Sequence, residues 1–419
     1  MMTDHKNGKE ETMRHIELFV RIGALLVVFF GLTGCSKNET VIPEKGVSFT
    51  DSLYNTTIVR ITDKEIDGYS GPGIQNEYAR NDAYNCDNSR IMMRGNDGTW
   101  YVYDAASYHL LYDVSGIANQ EPEPRWDAAD PDVFYYVNQA RLMSYDISAG
   151  SSATVHDFSN DIAGAYYVRN RGEGDASLDS RYWCFMVEDS SWNLISAIVY
   201  DKQTDSVVGQ ETSFPEGIDW VSMDMSGNHA IVGYESQTAE VFSLDFSTSV
   251  TLPERANGHM DLALDAGGND VMVYQNTLTD WIAMADLATG TEIPLVQIPF
   301  DVNTDIGLHF SGNCDAAPGW VLVSTYGAKN PLADEEHSWM DNLLFMVELK
   351  ANPRVVKLAY TNCFTAENAG DVEKNYFAEC FASINRAGTK VIFGSNWGDV
   401  SKTDYSEAYQ LTMPAGWNQ

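Results

Sequence analysis

A chain of 419 residues can hold two average domains or a single large all-β unit, so length alone does not set the domain count. Lys and Arg number 26 against 60 Asp and Glu, a net charge of −34. Such a field repels phosphate backbones and anionic lipid, which argues against a nucleic-acid partner and against a polybasic membrane patch.

The first 34 residues carry four acids and four bases, so the whole acidic excess lies beyond them. Arg14 and Arg21 flank the apolar run Ile22–Gly31, which leads through Leu32-Thr33-Gly34 to Cys35. A basic flank, a short apolar core and small residues before a cut are the parts of a secretory signal, and the run is short for a bilayer span. An uncleaved anchor is the other reading of the same run. Leu-Thr-Gly-Cys also resembles the bacterial lipobox. That resemblance implies cleavage before Cys35, lipidation of its thiol and, with Ser36 next, sorting to the outer membrane. The expected division is a leader over 1–34, a linker over 35–46 and one folded unit over 47–419, held in the cell envelope by its lipid.

Past the linker, a turn rich in Asp, Asn, Ser and Gly followed by a β-rich run recurs seven times. The runs begin at Ile91, Val133, Trp183, Ala230, Val271, Val321 and Val391. Second runs such as WYVYDA from Trp100 and IAMADLATG from Ile282 end in acidic turns that close hairpins. A repeat of roughly 40 to 50 residues is the length of a four-stranded blade, so the pattern predicts an all-β, seven-bladed β-propeller. Thr57–Ile61 has strand composition and no unit of its own; it is expected to pair with the last blade and close the ring. The stretch from about Gly327 to Asp341 reads as an inserted loop. Apart from Cys35 there remain Cys86, Cys184, Cys314, Cys363 and Cys380, an odd number without CxxC spacing. They suggest no metal cluster, and at most two disulfides.

The innermost strand of each blade lines a central channel, so equivalent positions face one another around an axis. Counting back twelve residues from the start of each β-rich run reaches His259, His309 and Glu379 in the last three repeats. The same count reaches Ala79 beside Arg80, Glu121, Arg171, and Ile218 beside Asp219 in the first four. One mouth of the channel would thus gather two of the chain's eight His with acids and two Arg. Each has a plainer reading: Gly258-His259 fits a histidine bonded within its own blade, Glu379 a solvated strand end, and Arg80 and Arg171 surface ion pairs. Only the shared register favours a site.

The segment HFSGNCD from His309 resembles the metal-binding histidine segment of oligogalacturonate lyases, which are seven-bladed propellers, and His259 resembles that family's upstream histidine. AECFA from Ala378 stands where the family supplies further ligands from a His-rich segment, and it holds no histidine. Ulvan lyases, which include propellers using His, Tyr and Arg, widen the class to uronate-cleaving lyases. The resemblance implies β-elimination at a 4-linked uronate. A cation neutralises the carboxylate, a base takes the C5 proton, and an acid protonates the leaving oxygen. On this reading His259 is the base and Tyr326 the acid, although Tyr326 also reads as a packed strand tyrosine. His309 and Glu379 hold a divalent metal such as Mn or Ca, Arg80 and Arg171 clamp the carboxylate, and the partner of a monomeric enzyme is an acidic polysaccharide or oligosaccharide. The alternatives are a noncatalytic, surface-anchored propeller that binds glycan or protein, and an envelope scaffold.

Overall fold

The structure is a computed structural model that describes residues 41–256, 258–300, 306–327, 338–364, 376–399 and 406–419. The leader, Cys35 and most of the expected insertion at 327–341 lie outside the described residues. Strands dominate, and the one α-helix among the described residues is the turn Lys64–Asp67. No helix among them is long and apolar enough to cross a membrane.

The strands form five four-stranded antiparallel sheets and one nine-stranded sheet. The larger sheet is two units joined by a single parallel pairing, Ile74 with Glu407. One unit begins at Ile74–Gln75 and the other is the last of the chain. Seven repeated units resembling propeller blades result. Their second strands are Arg90–Gly95, Val133–Asn138, Tyr182–Glu188, His229–Tyr234, Asp270–Asn276, Trp320–Tyr326 and Lys390–Ser395, so every β-rich run of the sequence is one of them. Thr57–Arg60 pairs antiparallel with Glu407–Thr412, with Ile58 opposite Leu411 and Val59 opposite Gln410, and so joins the last unit, with Ser48–Thr50 paired on its outer side.

These strands alternate apolar residues onto both faces, and each face is covered by a neighbouring unit. Val271 and Val273 pack with Val321 and Val323 between the fifth and sixth units. Leu322 and Leu344 pack with Val391 and Phe393 between the sixth and seventh. Val59 and Ile392 of the last unit share a core with Ile74, Ile91 and Met93 of the first. Burying these layers supplies about 25 cal/mol per Å² of apolar area, the main favourable term for such a fold.

First strands of neighbouring units approach closely enough to require glycine. A Cβ on Gly174 would stand 1.9 Å from the Val221 carbonyl oxygen, and one on Gly312 would stand 1.9 Å from that of Leu262. The five described cysteines are all free thiols, four of them buried, so the fold uses neither of the disulfides that its cysteine count allowed.

Candidate functional site

His259 directly precedes the strand Met260–Leu264, and its carbonyl accepts the Gln275 N–H at 2.8 Å. His309 lies within Gly307–Ser311, opposite Ser324. Glu379 follows the 3-10 turn Tyr376–Ala378, and the next two residues, Cys380 and Phe381, both have positive φ, 55° and 39°. Two consecutive left-handed non-glycine residues cost about 1–3 kcal/mol each. Here they interrupt the entry to the strand Ser383–Ile384, and Glu379 meets the neighbouring unit's His309.

The three side chains meet. His309 Nε2 and Glu379 Oε2 are 3.1 Å apart, and the rings of His259 and His309 are 5.3 Å apart at 77°. Tyr326 stacks on His309 at 4.7 Å and 15°, and lies edge to face with His259 at 6.2 Å. Gly307 makes room for it, since a Cβ there would stand 2.3 Å from the tyrosine ring. Tyr78 and Phe381 close the remaining sides of His309, at 5.3 and 5.0 Å.

Electrostatics separate the two histidines from ordinary ones. His309 is 2% exposed; burial first, and the Arg80 charge second, lower its pKa to about 3. His259 is half-buried, and burial, His309 and Arg80 lower its pKa to about 4. Both imidazoles are therefore neutral at ordinary pH. Burial raises Glu379 to about 7 against the pull of His259 and the Tyr326 hydrogen bond. The Tyr326 hydroxyl is raised above its usual range by burial and by Glu379. Among the described residues the His259 ring makes no side-chain hydrogen bond, so it is not tied to its own hairpin.

Arg80 adjoins the cluster, 5% exposed, with its guanidinium 5.5 Å from the Tyr78 ring and 5.5 Å from the Trp220 ring. Its Nη1 donates to Glu173 Oε2 at 2.6 Å, and its carbonyl accepts from Asn313 Nδ2 at 2.8 Å. Arg171 is not drawn in. Its side chain is 38% exposed and its guanidinium faces Asp219, 3.6 Å from the carboxylate. The twelve-residue count fails there because the first strand of that unit ends at Arg169, and Arg171 and Gly172 turn through left-handed backbone at φ 64° and 73°.

Beyond Arg80 a cavity of about 870 Å³, its open mouth included, is lined by Asp82, Asp175, Asp261, Arg125, Arg386 and Trp220. Burial pushes Asp82 and Asp261 up to about 8. Around Tyr78 and Glu77, the acids Glu77, Glu121, Glu123, Glu173 and Glu379 outnumber Arg80, Arg94 and Arg125. Burial raises Glu77 and Glu123 to about 7. Glu173, Tyr78, Phe381 and Trp220 had no signal in the sequence, since none sits at a repeated position.

The donor set does not fit a divalent metal. His309 spends its Nε2 on Glu379, its ring is enclosed by Tyr326, Phe381 and Tyr78, and the position after Glu379 is a cysteine whose Sγ faces the Thr325 carbonyl at 3.7 Å. Among the described residues no group of three or more His, Cys, Asp or Glu is disposed to hold an ion.

No protein-family model matches the chain, and no curated protein matches its sequence. Among solved structures it is similar to an oligogalacturonate lyase from Vibrio parahaemolyticus, with 15% identity, a TM-score of 0.60, and coverage of 88% of this chain and 97% of that one. It is also similar to an oligogalacturonate lyase in complex with manganese, with 14% identity, a TM-score of 0.60, and coverage of 90% and 98%. At that identity the likeness is one of fold: this chain shares the overall architecture of those two proteins.

Proposed function

We propose that the seven units close as a seven-bladed β-propeller whose mouth binds an acidic glycan and cleaves it by β-elimination next to a uronate. The observation that carries this reading is the reachable, neutral imidazole of His259, packed 5.3 Å from His309 and beside the buried Arg80, on a fold shared with oligogalacturonate lyases. In this mechanism Arg80 faces the uronate carboxylate and makes the C5 proton acidic. His259 takes that proton, the C4–O4 bond breaks as a C4–C5 double bond forms, and the departing O4 takes a proton from Tyr326. Glu379 and His309 position the two reacting groups, Glu379 through its bonds to Tyr326 and His309, and His309 by packing between Tyr326 and His259. Neither Arg171 nor a metal has a part in these steps.

The test is incubation with polygalacturonate, alginate and ulvan while following the absorbance of unsaturated uronates. Wild-type protein should generate that absorbance on one of them, and silence on all three would sink the lyase. The second reading, a noncatalytic propeller that binds glycan or protein, draws on the surplus of acids at the mouth and on Arg80 already being paired with Glu173. Affinity electrophoresis in the same polymers separates it from the first, since it requires retardation without product. For location, we propose an envelope lipoprotein anchored through Cys35. Cys35→Ala should then appear in the soluble fraction, and retention in membranes after alkaline washing would put the anchor elsewhere.

A further inference from the structure

Among the described residues, Arg80 is the one arginine in ring contact with the wall of the histidine site, through Tyr78, and it is not vacant. Its Nη1 is 2.6 Å from Glu173 Oε2, although the two residues belong to different units and are 93 positions apart. The burial of the pair is lopsided: the Arg80 side chain is 5% exposed and that of Glu173 is 35% exposed. The backbone that carries Glu173 is pinned. Arg125 donates to the carbonyls of Gly172 at 3.1 Å and Gly174 at 3.0 Å, and Asn81 Nδ2 donates to Gly172 at 3.0 Å. Glu173 can therefore rotate away without the loop moving. The other arginines of the site and cavity are likewise engaged: Arg94 faces Glu121 at 3.4 Å and Arg386 faces Asp315 at 3.2 Å. Arg125 is consumed by those carbonyls, by Glu77 at 3.0 Å and by Asp175 at 2.8 Å, while Arg171 faces Asp219.

We infer that Glu173 is a built-in stand-in for the ligand's carboxylate, holding Arg80 until an acidic sugar displaces it. The inference rests on the acidic-glycan reading above and assigns Glu173 as its specificity determinant. A buried guanidinium left alone is costly, so Arg80 keeps a carboxylate partner at every stage, first from Glu173 and then from the sugar. A neutral sugar cannot make that exchange, because it would strand the charge of Arg80. A strongly acidic molecule can in this way select an acidic ligand: one internal carboxylate is traded for an external one at a single guanidinium.

Isothermal titration with the galacturonate trimer and with its methyl ester tests this on wild type and on Glu173→Gln. Removing the internal competitor should tighten binding of the acid trimer by at least tenfold and leave the ester unchanged. Glu173→Asp, which keeps the charge but shortens its reach, should fall between and serves if the glutamine variant does not fold. Equal affinity of wild type and Glu173→Gln for the acid trimer would overturn the inference while the acidic-glycan reading stands. A matching gain for the ester would overturn it too, since the change would then only open space. If the acid trimer binds neither protein, the acidic-glycan reading falls and takes the inference with it.

Discussion

His259 and His309 are neighbours with different capacities. His309 is 2% exposed, stacked and hydrogen-bonded, which leaves it no access to a ligand, whereas His259 is half-buried at the same mouth. His259→Ala should lower the elimination rate by about 10²-fold or more, measured as kcat/KM on the polymer that gives product. A base must be deprotonated to act, and the lowered pKa of His259 keeps it neutral down to about 4. The acid limb of the pH–rate profile should therefore sit near 4 rather than at the ordinary histidine value, and a limb near 6.5 would count against His259 as the base. The pairing of His309 with Glu379 carries a separate expectation. Because the donors are spent on each other, neither Mn²⁺ nor EDTA should shift the thermal midpoint, as read by circular dichroism. A rise of several degrees with Mn²⁺ would restore the metal reading.

At the level of strands, the site depends on how closely first strands of adjacent units approach. Gly312 directly follows the His309 strand, donates its N–H to Asp261 Oδ2 at 2.7 Å, and leaves no room for a Cβ against the Leu262 carbonyl. Gly312→Ala should destabilise the protein by about 2 kcal/mol or more, measured by urea unfolding, and should weaken activity as well because His259 and His309 flank that contact. Gly116→Ala is the control. Gly116 has a positive φ, 77°, and a Cβ there meets nothing within 4 Å, so only the backbone penalty of about 1–2 kcal/mol applies. In the last three units the twelve-residue count reached residues whose side chains meet, His259, His309 and Glu379. The His259 carbonyl accepts from Gln275 near the end of its second strand, and in the last unit Cys380, the residue after Glu379, accepts from Gly394. In the first unit the count landed on Ala79, one residue short of Arg80, because the chain leaves its pairing after Gln75 and returns at Ala83, which accepts from Met92. That excursion carries Tyr78 and Arg80 to the site, and its length could not be read from composition.

Across the molecule, pH should act on stability in an unusual direction. Burial raises Glu77, Glu123 and Glu379 to about 7 and Asp82 and Asp261 to about 8. The unfolded chain releases those protons near pH 4. Between about pH 4 and 8 the folded state thus binds more protons at these groups, and stability falls as pH rises. The two histidines oppose this only below their unfolded value near 6.5, where the unfolded chain gains protons that the folded one refuses. The net charge of −34 adds self-repulsion of the same sign as the carboxyls. The thermal midpoint should therefore rise as pH is lowered from 8 to about 6.5, and a midpoint that falls over that range would contradict the buried carboxyls.

The sequence by itself determined the repeat. Alternating β-rich runs and acidic turns are local chemistry, so the seven second strands and the pairing of Thr57–Arg60 with the last unit were legible from composition and spacing. It also brought out His259, His309 and Glu379, because similar hairpin lengths translate sequence distance into equivalent positions on successive units. Only the tertiary structure decided what these residues face. Tyr326 stacking on His309 requires the space left by Gly307, the Arg80–Glu173 pair joins units 93 residues apart, and the exclusion of Arg171 follows from a left-handed turn at its own backbone. Contacts of that kind arise where separate units meet, and a one-dimensional pattern carries the period of the units but not the side chains that meet between them.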